Sequence, residues 1–193
     1  MTTPPQRMTQ REALEVLAAH RGGHVVVTTM SAVGIWPSLS DTQLDFAYLP
    51  SSMSQGPLLG LGLALAQPAR GVVVVNGDGC TLMNLGCLVT LAQNPANVYL
   101  VIMDNALYEV TGGQAPAGAG RTDFAGMARA AGVRRVYGFE SLDAWRAGAA
   151  EALTGPGPVV IWLKVEGRLG QQTPKAPRPM AEQIARLREA LAQ

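Results

Sequence analysis

Apolar residues in this chain fall into short unbroken runs, separated by stretches of helical periodicity. Residues 24–28 (HVVVT), 72–75 (VVVV) and 98–103 (VYLVIM) read as buried strands. Shorter or mixed runs at 133–137 and 159–165 predict two more strands. Thr9 followed by Glu12 is a capping-box pattern, so a helix opens there and ends near Arg21-Gly22-Gly23. Further helices are predicted over 82–93, from near Thr122-Asp123, over 141–153 and over 180–191. Residues 51–66 (SSMSQGPLLGLGLALA) read as a loop entering a glycine-rich helix. Gly56, Gly60 and Gly62 lower helix propensity there, which makes sense where another backbone approaches closely. The same segment looks suited to packing against a neighbouring chain.

Strands that alternate with helices and lack charge on both faces indicate a parallel sheet covered on two sides. The expected fold class is therefore α/β, a doubly wound parallel sheet with helices on both faces. The predicted organisation is a disordered lead at 1–8, a domain over 9–165, and a Pro- and Gly-rich connector with a C-terminal helix over 166–193. In such folds ligands sit at the carboxyl ends of the strands.

The 193 residues are 48% hydrophobic and only 15% charged, which suggests that another subunit covers part of the apolar surface. A net charge of +1 gives no electrostatic footprint for nucleic acid or an anionic membrane. The longest apolar runs are strand-length, and the opening MTTPPQRMTQRE has no signal-peptide core, so the expected location is the cytoplasm. Two cysteines, Cys80 and Cys87, are too few for a disulfide framework or a four-cysteine cluster, and both are read as reduced, buried thiols. His20 and His24 flank a helix end without ligand spacing and read as surface or capping residues.

Candidate chemistry begins at Asn76-Gly77-Asp78-Gly79, directly after the four valines. Asp78 is thereby held at a strand end, and the N–H groups of Gly79 and Cys80 face outward where the next helix starts. That arrangement favours a phosphate. Asn105 follows Asp78 by 27 residues, room for one helix and one strand, so the two side chains can converge on adjacent strand ends. A carboxylate, an amide oxygen and a nearby backbone carbonyl are hard donors. With two phosphate oxygens and a water they complete the octahedron that Mg²⁺ prefers.

GDG, then an Asn after one such unit, resembles the diphosphate-binding motif of thiamine-diphosphate enzymes. The segments SSMSQGPLLGLGLALA, NGDGCTLMNLGCLVTLAQ, VYLVIMDNALYEVTGGQ and RTDFAGMARAAGV are similar, in this order, to the diphosphate-binding domain of sulfopyruvate and phosphonopyruvate decarboxylases. The resemblance covers most of residues 10–165. It implies that Asp78, Asn105 and the carbonyl of Leu107 hold Mg²⁺, that Gly79 and Cys80 hold the diphosphate, and that Gly77 belongs to the same cofactor-binding turn. It further implies that Ser51, Ser52 and Tyr108 contact the cofactor, Ser51 through its carbonyl to the aminopyrimidine. Met53 would lie under thiamine diphosphate and keep it bent, so that the 4′-imino nitrogen reaches the thiazolium C2.

The implied activity is decarboxylation of a 2-oxo acid, of the 3-substituted pyruvate class such as sulfopyruvate or phosphonopyruvate. Carboligation, oxidation of a 2-oxo acid and a non-catalytic binding or regulatory subunit are the alternatives. Relatives commonly carry Gly where this chain has Ser54 and Ala106. The family also needs a second, pyrimidine-binding domain with an activating Glu, which is expected on a separate alpha subunit. Three roles stay open: Glu109 is either solvated or faces the site, residues 111–114 (TGGQ) border the site or form a plain loop, and Arg121 offsets an anionic substrate or is solvated.

Overall fold

A computed structural model of the chain describes residues 7–192. Six parallel strands form one sheet in the order β2-β1-β3-β4-β6-β5. They are β1 (Val25–Thr28), β2 (Asp45–Ala47), β3 (Val72–Gly77), β4 (Val98–Asp104), β5 (Arg135–Phe139) and β6 (Val159–Lys164). The helices are α1 (Gln10–His20), α2 (Ser31–Ile35), α3 (Gly56–Ala66), α4 (Asp78–Met83), α5 (Gly86–Ala92), α6 (Phe124–Ala130), α7 (Leu142–Ala152) and α8 (Met180–Leu191).

Strand side chains alternate between two cores because successive residues point to opposite faces. Val73, Val75, Val101 and Ile161 pack with Leu14, Leu17 and Trp145 of α1 and α7. Val72, Val74, Leu100 and Val160 pack with Leu61, Leu88 and Phe124 of α3, α5 and α6. Both faces of the sheet are therefore covered, as the uncharged strands predicted. The Trp145 indole N–H also donates to the Ala13 carbonyl at 3.0 Å, fastening α7 to α1. The capping box of α1 is present in full, with Thr9 and Glu12 exchanging hydrogen bonds.

Several sequence expectations are corrected. Of the lead at 1–8, Met8 is buried and its backbone bridges to Val165, so ordered packing already includes it; residues 1–6 lie outside the described part. The helix expected over 82–93 instead begins at Asp78 and breaks at Asn84-Leu85. Its second half follows the sheet through Cys87, Leu88 and Leu91, while Met83 and Leu85 point outward, so their apolar character marked no common face. The strand expected over 133–137 runs two residues later, since Val133 belongs to the turn after α6 and pairing with β6 starts at Arg135. β2 and α2 had no counterpart in the sequence reading; both are short and carry no diagnostic period.

Gly56 and Gly60 mark a close approach, as expected, and the approach is to the sheet of their own chain. A Cβ on Gly60 would run into the Val74 side chain, and one on Gly56 would crowd Thr29. These glycines let α3 settle onto its own sheet, and of the three only Gly62 faces open space. His24 is partly buried rather than free at the surface: its ring stacks on Tyr99 and it bonds to the Leu153 carbonyl.

Strand order fixes where a ligand can sit. From β1 the chain moves to β2 on one side, and β3 then pairs on the other side of β1. The crevice where winding reverses lies outside the carboxyl ends of β1 and β3, with β4 alongside.

Candidate functional site

A cleft occupies that crevice. Its lining includes Thr29 and Ser31 after β1, Asn76 to Cys80 at the end of β3, and Met103, Asn105 and Leu107 at the end of β4. A buried network sets the β3 turn. The Thr29 hydroxyl donates to the Val75 carbonyl at 2.9 Å, the Asn76 amide donates to Thr81 at 3.0 Å, and Thr81 donates to the Gly77 carbonyl at 2.8 Å. These bonds hold Gly77 and Asp78 in place from beneath. α4 has no side-chain cap, so its first-turn amides are not satisfied by one.

Asp78 is 2% exposed, and its Oδ2 accepts the Ala106 N–H at 3.0 Å. The Asn105 Oδ1 accepts the Leu107 N–H at 3.0 Å, folding the loop after β4 back on itself. Ala106 between them has φ +58° and Ser54 has φ +71°, the left-handed region that favours glycine. Ala106 and Ser54, where the resemblance noted in the sequence leads to an expectation of Gly, are two of the three non-glycine residues, with Met30, that adopt a positive φ among the described residues. The Tyr108 ring packs against Gly79, leaving no room for a side chain there.

Burial raises the Asp78 carboxyl to about 7. The Asp104 carboxylate adds to the rise, and the N–H groups of Gly79 and Ala106 oppose it. Asp104 itself accepts the Trp162 indole N–H at 2.9 Å. Among the described residues no Lys, Arg or His lines the cleft, so no described cation stands beside this buried acid. Such an environment suits a divalent cation, which would compensate the charge that burial penalises. Among the described residues no trio of His, Cys, Asp and Glu side chains is placed to hold a metal.

Of the residues singled out in the sequence, the cleft gathers Met53, Gly77, Asp78, Gly79, Cys80, Asn105, Leu107 and Tyr108. Ser51 and Ser52 precede Met53 but do not line it. The Cys80 thiol lines the cleft and is raised by burial; Cys87 lies in the core of the other helix, pushed up to about 11 by burial. Arg121 is exposed and lies outside the cleft. In the 111–114 segment only Thr111 lines it, while Gln114 pairs its backbone with Tyr108.

Glu109 faces the cleft and is 4% exposed. Gln10 Nε2 donates to it at 2.8 Å, the Ser31 hydroxyl at 2.7 Å and the Arg168 N–H at 2.6 Å. Gln10, Thr29 and Ser31 were not found from the sequence. The strand end at Thr28 was a usable signal for Thr29 and Ser31. Nothing local marked Gln10.

A family model described as "Thiamine pyrophosphate enzyme, C-terminal TPP binding domain" matches residues 27–163. The chain is 38% identical over 162 residues to a phosphonopyruvate decarboxylase of Streptomyces viridochromogenes, covering 82% of this chain and 40% of that protein. It is 31% identical over 163 residues to the sulfopyruvate decarboxylase subunit beta of Methanococcus maripaludis, covering 81% of this chain and 84% of that subunit. The crystal structure of benzoylformate decarboxylase from Polynucleobacter necessarius shares the fold with a TM-score of 0.71, at 21% identity, over 90% of this chain and 36% of that one. The chain thus spans about two fifths of the length of the phosphonopyruvate decarboxylase it matches.

Proposed function

The chain belongs to the thiamine pyrophosphate enzyme family, as its C-terminal cofactor-binding domain, and on that premise we propose that it is the diphosphate- and Mg²⁺-binding half of a 2-oxo acid decarboxylase. The observation that carries this reading is the bond between the Asp78 carboxylate and the Ala106 N–H, which brings the turn after β3 against the loop that bears Asn105. Asp78, Asn105 and the carbonyl of Leu107 would hold Mg²⁺, and the amides of Gly79 and Cys80 would receive the diphosphate. Met53, at the mouth of the cleft, would hold the cofactor bent. Thiamine diphosphate supplies the electron sink that decarboxylation of a 2-oxo acid requires. The protein binds, orients and shields it.

The substrate class is a 3-substituted pyruvate with an anionic tail, such as sulfopyruvate or phosphonopyruvate. The relatives named above support this choice. A separate pyrimidine-binding alpha subunit completes the site. The exposed apolar side chains of Leu65, Met83 and Val89 support a protein cover on the α3–α5 side, and the match to most of a beta subunit supports the division.

Calorimetry with thiamine diphosphate and Mg²⁺ on the chain assembled with its partner tests the assignment. Asp78→Ala should weaken cofactor binding by about 2 kcal/mol or more, the usual cost of losing a charged partner. Equal affinity in the variant overturns it. Release of CO₂ from pyruvate, sulfopyruvate and phosphonopyruvate should require both polypeptides, and robust turnover by this chain alone rules out the divided architecture.

A further inference from the structure

The cleft presents two carboxylates, Asp78 and Glu109, and no cation to whatever enters it. Beyond the metal proposed at Asp78, the cleft offers no side-chain cation to a second anionic group on a substrate. A groove of about 720 Å³ adjoins the cleft and shares Gln10, Ser31, Glu109 and Val110 with it. Three cations line this groove, Arg11 from α1 and Arg168 and Lys175 from the connector after β6. Among the described residues Glu109 is the only acid in its lining. Both oxygens of that acid accept from Gln10, and they accept from Ser31 and the Arg168 N–H as well. Its charge is thus already dispersed over protein donors, and the groove is left cationic.

The connector that forms the outer wall is fastened at separate points. The Arg168 N–H is held by Glu109 at 2.6 Å, and the Thr173 hydroxyl donates to the Val110 carbonyl at 2.9 Å. Gly167 lies so close to the Asn105 carbonyl and the Leu107 side chain that a Cβ would meet them at 2.6 and 2.7 Å. These ties hold the backbone that carries Arg168 and Lys175 beside the loop bearing Asn105. Neither Arg168 nor Lys175 forms an ion pair among the described residues, and Arg11 has only a distant one at 3.8 Å to Glu15.

We propose that this groove, with Arg11, Arg168 and Lys175, binds the tetrahedral oxyanion at carbon 3 of the substrate, while the 2-oxo acid end lies in the cleft beyond Glu109. The inference rests on the decarboxylase reading above and gives it a specificity site within this chain. A sulfonate or a phosphonate presents three oxygens and a negative charge to such cations, and the uncharged methyl end of pyruvate gains nothing from them.

The test uses the chain copurified with its partner, as wild type and as the Arg168→Gln/Lys175→Gln double variant. The ratio of kcat/KM for sulfopyruvate or phosphonopyruvate to that for pyruvate should fall about tenfold or more in the double variant, the loss expected for ~1.4 kcal/mol of charge pairing. An unchanged ratio for both anionic substrates overturns the proposal, and a fall for one alone identifies which oxyanion the groove takes. Calorimetric titration with 3-sulfopropionate and 3-phosphonopropionate gives a second readout that needs no turnover. At least one should bind the wild type and bind the double variant about tenfold more weakly. Binding that is absent in the wild type, or equal in both proteins, overturns the groove whatever the assays give. Conversely, binding to the groove in a complex that decarboxylates none of the three acids sinks the decarboxylase reading and leaves the oxyanion site standing.

Discussion

The ring of Tyr108 lies against the α-carbon of Gly79, in the space where any other residue would place its Cβ. The contact joins the turn after β3 to the loop after β4 on the face that the cleft exposes. Gly79→Ala should therefore push Tyr108 aside and destabilise the protein by about 1–3 kcal/mol, the usual cost of overpacking. In a Tyr108→Ala background the same substitution should cost much less, because the two changes share one contact. Thermal or urea unfolding of the four proteins measures the coupling. Additive effects would show that the ring is not what excludes a side chain at position 79.

Ala106 and Ser54 both adopt a left-handed backbone that L residues with a Cβ pay for. Ala106→Gly and Ser54→Gly should each raise stability, by about 0.5–1 kcal/mol after the extra flexibility of glycine in the unfolded chain is subtracted. The midpoint of urea unfolding should move up with an unchanged slope. A lower midpoint would mean that the methyl or hydroxymethyl makes contacts worth more than the backbone strain.

The Asp78 carboxyl is raised to about 7, chiefly by burial. A raised acid favours its protonated form in the folded protein, so its contribution to stability is present at low pH. That contribution is lost as pH rises from near the ordinary carboxyl range through about 7. The metal-free protein should accordingly lose stability between about pH 4 and pH 7, and Asp78→Asn should flatten that slope. Mg²⁺ with thiamine diphosphate should offset the loss in the wild type and not in the variant. Unfolding midpoints across the pH series decide. A slope that persists in Asp78→Asn would assign it to other groups.

Met53 is 36% exposed, so truncating it removes little core packing. Its proposed role is to shape the bound cofactor. Met53→Ala in the assembled complex should slow hydrogen exchange at the thiazolium C2 by about tenfold or more, while affinity for the diphosphate end is largely kept. Proton exchange followed by NMR, beside calorimetry, separates the two effects. Wild-type exchange in a variant that still binds would remove Met53 from the mechanism.

Much of this molecule is legible in its sequence alone. Unbroken apolar runs gave β3 and β4, because strands buried on both faces have no polar alternation to hide them. Thr9 and Glu12 gave the start of α1, because a capping box is a contact between residues three apart. Asp78 and Asn105 could be paired because each follows such a strand directly. Contacts over long sequence separation could not be read in this way. Gln10 and Ser31 reach Glu109 from 99 and 78 residues away, and no local pattern records that approach. Hydrophobic periodicity states that a face is buried and not which neighbour buries it. Gly56 and Gly60 could therefore be taken as places for another chain, when what they admit is Thr29 after β1 and Val74 of β3 in their own sheet. The strand order was equally silent in the sequence. Only pairing decides that β1 lies between β2 and β3, and that reversal of winding is what opens the cleft above Asp78.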